Sequence, residues 1–167
     1  MEIERKFLLQ SVPQAHRGVI LREGVSIEQG YFVTQEGELR LRHKGSRFFL
    51  TIKSEGGLVR EEWEQEIPQW AFEMLWPNTE GRRIQKNRYT VPYGAYNLEI
   101  DEFSGVLQGL VILECEFPRE LLAASLNLPV WVQGAVEVTG NPVYSNRNLA
   151  LQGLPSYGDM LLEMKES

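Results

Sequence analysis

Apolar and polar side chains alternate with a period of two through most of this chain. Alternation of that kind predicts strands, because neighbours in an extended backbone project to opposite faces. It runs through Glu2–Leu9, Val25–Thr34, Glu38–Lys44 and Arg47–Ser54, then Leu58–Ile67, Arg82–Val91, Tyr96–Phe103 and Leu110–Phe117. That is about eight strands. Turn signals at Gln35–Gly37, Lys44–Ser46, Glu55–Gly57, Pro92–Gly94 and Ser104–Gly105 make most connections short. Strands joined so closely must run antiparallel. Helical signal is sparse: Pro68–Trp76 stopping at Pro77, Pro118–Leu126, and Tyr144–Gln152 closed by Gly153, with an amphipathic turn or two after Ser156.

The two rows of each strand differ in kind. One carries Ile3 and Phe7, Leu39 and Leu41, Phe48, Leu50 and Ile52, and later Leu98, Ile100, Leu113, Cys115 and Phe117. The helices are expected to pack on that apolar side. The other row is charged, and the charges are sorted by strand: Arg40 with Arg42, Glu62 with Glu64 and Glu66, Glu114 with Glu116. A charged row faces either bulk water or an enclosed lumen. Like charges on one strand face repel, so the arrangement calls for an external neutralising partner. Closure into a barrel would remove exposed edges, and eight strands leave an interior wide enough for one small ligand.

Composition narrows the partner. The 167 residues are 43% apolar and 24% charged, as in an ordinary globular protein, and predict one domain over 1–167 with residues 153–167 peripheral. A formal net charge of -6 argues against nucleic-acid binding by bulk attraction. No apolar run approaches the roughly 18 residues that span a bilayer, so a cytoplasmic protein without membrane association is expected. The single cysteine, Cys115, is expected to face the apolar side; His16 and His43 lack partners at useful spacing. Trp63, Trp70, Trp76 and Trp131 are expected to serve core or helix packing. Carboxylate pairs without His or Cys select hard cations such as Mg²⁺ or Mn²⁺. Arg and Lys on facing strands select phosphate oxygens. Together they point to metal-assisted chemistry on a ligand with several phosphates.

The motifs, taken in order, resemble one family. Glu2-x-Glu4-x-Lys6 is similar to the ExExK signature of the CYTH domain, the triphosphate tunnel metalloenzymes. Gln29-Gly30-Tyr31, Leu39-Arg40-Leu41-Arg42, Leu50-Thr51-Ile52-Lys53 and Lys86-x-Arg88-Tyr89 fit its later strands. So do Glu99-x-Asp101-x-Phe103, Glu114-Cys115-Glu116 and the block from Glu137 to Leu149. The resemblance implies an α+β, mainly antiparallel β fold: a closed eight-stranded tunnel with a few helices packed outside. It also implies a triphosphate substrate with Mg²⁺ or Mn²⁺. Glu2, Glu4, Asp101, Glu114 and Glu116 would hold metal. Lys6, Arg40, Arg42, Lys53, Lys86 and Arg88 would hold phosphate. Glu62, Glu64 and Lys6 are the catalytic candidates. Relatives often place a Lys beside the Val-Thr-Gly block, where this chain has Gly134-Ala135-Val136, and Arg147 is the candidate substitute. The expected activity is hydrolysis of inorganic triphosphate, with a homodimer allowed. The alternatives are thiamine triphosphate or nucleoside triphosphate hydrolysis, class IV-type adenylate cyclisation, or a non-catalytic polyphosphate sensor.

Overall fold

The computed structural model describes residues 3–13, 24–55 and 61–156. Eight strands lie close to where alternation puts them: β1 (Ile3–Leu9), β2 (Val25–Tyr31), β3 (Glu38–Lys44), β4 (Arg47–Lys53), β5 (Glu62–Ile67), β6 (Arg83–Tyr93), β7 (Tyr96–Ser104) and β8 (Val111–Phe117). A two-residue β9 (Val136–Glu137) joins them without an alternation signal of its own. The sheet order is β5-β4-β3-β2-β6-β7-β8-β1-β9, with every ladder antiparallel. Two hairpin meanders, β2 to β5 and β6 to β8, are thus fused through the β2–β6 ladder. The first strand returns to pair with the last long one. Among the described residues no ladder joins β5 to β9.

Register fixes which side chains share the inner face. Lys6 pairs with Glu114 and Glu4 with Glu116 across β1–β8; Arg88 pairs with Asp101, Arg40 with Thr51, and Lys53 with Glu62. Helices α1 (Gln69–Leu75) and α2 (Glu120–Ala124) lie on the outer face, as expected. Under α2 the outer residues Phe7, Leu98, Ile100, Leu113, Cys115 and Phe117 form a buried cluster with Ala123. Each fully buried aliphatic or aromatic side chain of this kind stabilises the fold by roughly 1.5–3 kcal/mol. Cys115 faces this apolar side, as predicted.

Helix α3 (Asn146–Gln152) departs from the expectation that the helices pack outside. At one end the inner face turns apolar, through Leu8, Tyr31, Ile84, Phe103 and Ile112. Leu149 and Ala150 of α3 pack onto that patch with Tyr144. The sheet therefore has a second core inside it, and α3 closes that end. Ser145 caps the helix by accepting from the Asn148 N–H at 3.2 Å, and Gly153, with φ near 80°, ends it. The stretch after Pro77 also differs, because the chain continues from α1 into a 3₁₀ turn, Trp76–Thr79, rather than stopping. The predicted turn beyond Ser156 falls outside the described residues, as does Leu58–Arg60. Among the described residues no helix is long and apolar enough to cross a membrane.

Candidate active site

The charged part of the inner face lines a cavity of about 500 Å³. Seven strands, β2 among them through Tyr31, and the start of α3 supply its walls. β1 and β8 contribute Glu4, Lys6, Glu114 and Glu116; β3 and β4 contribute Arg40, Arg42 and Lys53; β5 contributes Glu62 and Glu64, and β6 contributes Arg88. The structure thus brings ten of the sequence-predicted site residues to one surface. Glu2 lies outside the described residues, as does His16.

Most of the wall is knitted into ion pairs. Lys6 Nζ stands 3.2 Å from Glu114 and 3.7 Å from Glu4, and donates to the Tyr144 carbonyl at 3.3 Å. Lys53 lies 3.2 Å from Glu62 and Arg40 lies 3.6 Å from Glu64. Glu64 also accepts from the Thr51 hydroxyl at 2.8 Å. Arg42 has a neutral partner instead, donating to Gln29 Oε1 at 2.9 Å, while Gln29 Nε2 donates to the Tyr31 hydroxyl. Burial, reinforced by neighbouring Arg40 and Arg88, pulls the Arg42 guanidinium below its ordinary pKa. Gln29 is a residue that alternation could not flag, since nothing but the family motif marks a neutral amide as an orienting group.

Two predicted site residues sit beneath the wall rather than on it. Asp101 is fully buried and accepts from Lys86 Nζ at 2.6 Å and from Arg88 Nε and Nη2 at 2.7 Å. Burial opposes its ionisation, but the two cations outweigh that and hold it at about 2. With its oxygens so engaged, Asp101 is an anchor for cations and is not presented as a metal ligand. Lys86 is equally buried, donating also to Asn146 Oδ1 at 3.3 Å, with its ammonium over the Phe103 ring. Desolvation lowers its pKa despite Asp101. It ties β6 to α3 instead of lining the cavity. Arg88, gripped by the same carboxylate, does reach the cavity and meets Glu99 at 2.6 Å.

The remaining predicted residues fall outside the cavity. His43 stacks on Phe48 at 4.3 Å under α1, on the outer face. Trp76 packs on Phe72, and Trp131 lies against the outer core, but Trp63 and Trp70 are half or more exposed, against expectation. Trp63 lies on β5 at one end of the strand order, and Trp70 lies on α1, where Phe72 is the buried residue.

The metal-bearing role predicted for the carboxylates meets one structural test. Glu4 faces Glu116 directly across the β1–β8 ladder, with Glu114 one inward position along. The donors are all carboxylate oxygen, which fits a hard divalent cation and not zinc or copper. Among the described residues no three such side chains already converge as a finished metal cage.

Comparison with known proteins gives this cavity a family. A protein-family model described as the CYTH domain matches residues 1–121. The chain belongs to the CYTH domain family. An inorganic triphosphatase of Nitrosomonas europaea is 44% identical over 154 residues, covering 90% of this chain and 97% of its own. An inorganic triphosphatase of Acetivibrio thermocellus is 38% identical over 151 residues, covering 89% of this chain and 92% of its own. A crystal structure described as an inorganic triphosphatase superposes with a TM-score of 0.69 at 41% identity, covering 90% of this chain and 95% of that one. This CYTH chain therefore shares its fold with that structure.

Proposed function

We propose that this CYTH protein hydrolyses inorganic triphosphate to diphosphate and phosphate, with Mg²⁺ or Mn²⁺, inside the charged cavity. The observation that carries this reading is the wall itself: carboxylates and guanidinium or ammonium groups face one cavity of about 500 Å³. Such a space suits a short polyanion carried with a divalent cation. Two relatives named inorganic triphosphatase, each aligned over about nine-tenths of this chain, support the same substrate.

Glu4, Glu114 and Glu116 would hold the metal. When bound, a divalent cation would supply charge neutralisation for the polyphosphate. Lys6, Arg40, Arg42, Lys53 and Arg88 orient the phosphate chain, and their fixed charges stabilise the extra negative charge of the transition state. Lys86 and Asp101 act one layer down, holding Arg88 and α3 in place. A water attacks one terminal phosphorus, the bond to the diphosphate oxygen breaks, and the proton of the water passes to Glu62 or Glu64. Both carboxylates line the cavity, and each is now held by a cation or hydroxyl that substrate can draw away. Lys6, which pairs with Glu114 and stands near Glu4, would stabilise the leaving oxygen. Among the described residues of the cavity wall, Tyr31 is the sole aromatic, and it is buried.

Phosphate release is measured on triphosphate, ATP, thiamine triphosphate and long-chain polyphosphate, with and without metal. Metal-dependent release, fastest on triphosphate, is expected. Glu4→Gln should lower kcat at least about a hundredfold, in line with loss of one charged transition-state group, while circular dichroism stays native. Faster turnover of ATP or thiamine triphosphate, or full activity in Glu4→Gln, would overturn the assignment.

A further inference from the structure

Outside the cavity, a second polar cluster is built on the strand that carries Glu4 and Lys6. Arg5 lies between them in sequence and on the opposite, outer face, beside α2. Its Nε and Nη2 donate to the two Glu137 carboxylate oxygens, both at 2.8 Å. Its Nη1 donates to the Ala123 and Leu126 carbonyls at 2.9 and 3.3 Å. Glu137 Oε1 also accepts from the Thr139 hydroxyl at 2.8 Å. A hydroxyl that has given its one proton to a carboxylate can only accept elsewhere. Thr139 Oγ1 accepts from the Lys6 backbone N–H at 2.9 Å. The Lys6 carbonyl in turn accepts from the Val138 N–H at 2.8 Å, so a side chain takes one of the two places that a partner strand's backbone would fill.

The β1–β9 ladder pairs only Phe7 with Glu137 and Leu8 with Val136, and Lys6 lies one residue beyond it. On this edge the Lys6 backbone is therefore fixed by the Val138 bond and the Thr139 hydroxyl. Inside the cavity the Lys6 ammonium meets Glu114 at 3.2 Å and the Tyr144 carbonyl at 3.3 Å. The same segment continues past Tyr144 into α3, whose Arg147 lines the cavity. We propose that Glu137, gripped by Arg5 and acting through the Thr139 hydroxyl, is a positioning residue for Lys6 in triphosphate hydrolysis. The inference rests on the triphosphatase reading and deepens it, because it adds residues outside the cavity to the machinery within. Arg5 and Glu137 are both partly exposed, and exposed ion pairs contribute little to stability. Their bidentate geometry serves placement instead. It fixes the direction of one carboxylate, which fixes one hydroxyl, which fixes one backbone N–H. An ammonium carried by that backbone needs a displacement of only about 1 Å to lose most of its effect on a transition state.

Steady-state kinetics on Thr139→Val, Thr139→Ser and Glu137→Ala test this, with binding sites counted by titration with a slowly hydrolysed imido-bridged triphosphate. Thr139→Val keeps the shape and loses only the hydroxyl, whereas Glu137→Ala removes the group that orients it. In both, kcat per titrated site should fall about tenfold or more, while KM for triphosphate changes less than about twofold. Thr139→Ser keeps the hydroxyl and should retain the wild-type kcat. Loss of folded protein alone would lower the number of sites and leave kcat per site untouched, so the count separates placement from stability. Wild-type kcat per site in Thr139→Val would overturn the proposal, as would an equal loss in Thr139→Ser. An inactive wild type would instead defeat the triphosphatase reading itself, so the two failures are distinguishable.

Discussion

Asp101 and its two cations show how a single residue shapes the cavity without touching it. The carboxylate aims both buried cations: Lys86 toward α3 and Arg88 into the cavity. Removing its charge while keeping its shape leaves two cations without their counter-ion. Asp101→Asn should therefore destabilise the protein by about 3 kcal/mol or more, the usual result of breaking a buried pair from one side. The pH dependence has a definite sign. Folding pulls this carboxyl from an ordinary value of 3.8 down to about 2. Its contribution is thus complete above about pH 4 and is lost as pH falls through about 2. Urea unfolding across that range should show wild type and Asp101→Asn separated by a constant gap near neutrality that narrows in acid. A gap that persisted unchanged to pH 2 would mean that the carboxylate charge contributes nothing. Nothing in the strand pattern distinguished Asp101 from Glu99 or Glu114, since all three share one inward row; only depth within the wall separates an anchor from a wall residue.

Elements were legible where one face was buried and one was charged, and less so where both faces were covered. β3, with Leu39 and Leu41 against Arg40 and Arg42, has the bounds that alternation predicts, Glu38–Lys44. The inner row of β1 runs Glu4, Lys6, Leu8, and β8 runs Glu116, Glu114, Ile112, so the charged face becomes apolar partway along. Because Leu8–Leu9 and Ile112–Leu113 are then apolar on both sides, periodicity cannot say which face a helix covers, and α3 inside the sheet was missed for that reason. β9, two residues long, is too short to alternate. The glycine of Gln29-Gly30-Tyr31 was visible only as a motif, and packing explains it. A Cβ at Gly30 would lie 2.6 Å from Thr79 Cβ and 2.7 Å from the Trp76 ring, so the absent side chain lets the 3₁₀ turn seat on β2. Gly30→Ala is expected to cost about 1–3 kcal/mol by overpacking. Thermal melting should show the loss, and an unshifted midpoint would mean that the turn can move away freely. Gln29 and Tyr31 flank this position, so the same variant should also weaken substrate binding through Arg42.

For the whole molecule the decisive quantity is charge balance. The protein carries a net charge of -6, so its long-range field repels a polyanion. The cavity itself is lined by six carboxylates and six cationic side chains. A bare triphosphate entering such a space would leave it strongly negative, and a bare divalent cation would leave it positive. Each ligand therefore lowers the cost of admitting the other, a coupling that must be reciprocal. A slowly hydrolysed imido-bridged triphosphate separates binding from turnover. Added alone, the analogue or Mg²⁺ should move the melting midpoint little. Added together at about a hundred times their dissociation constants, they should raise it by about 5 °C or more. The joint shift must exceed the sum of the separate ones, and titration calorimetry should find the metal binding more tightly when the analogue is present. Strictly additive shifts would mean that the two ligands occupy independent places, and the cavity could not then be one site for metal and triphosphate.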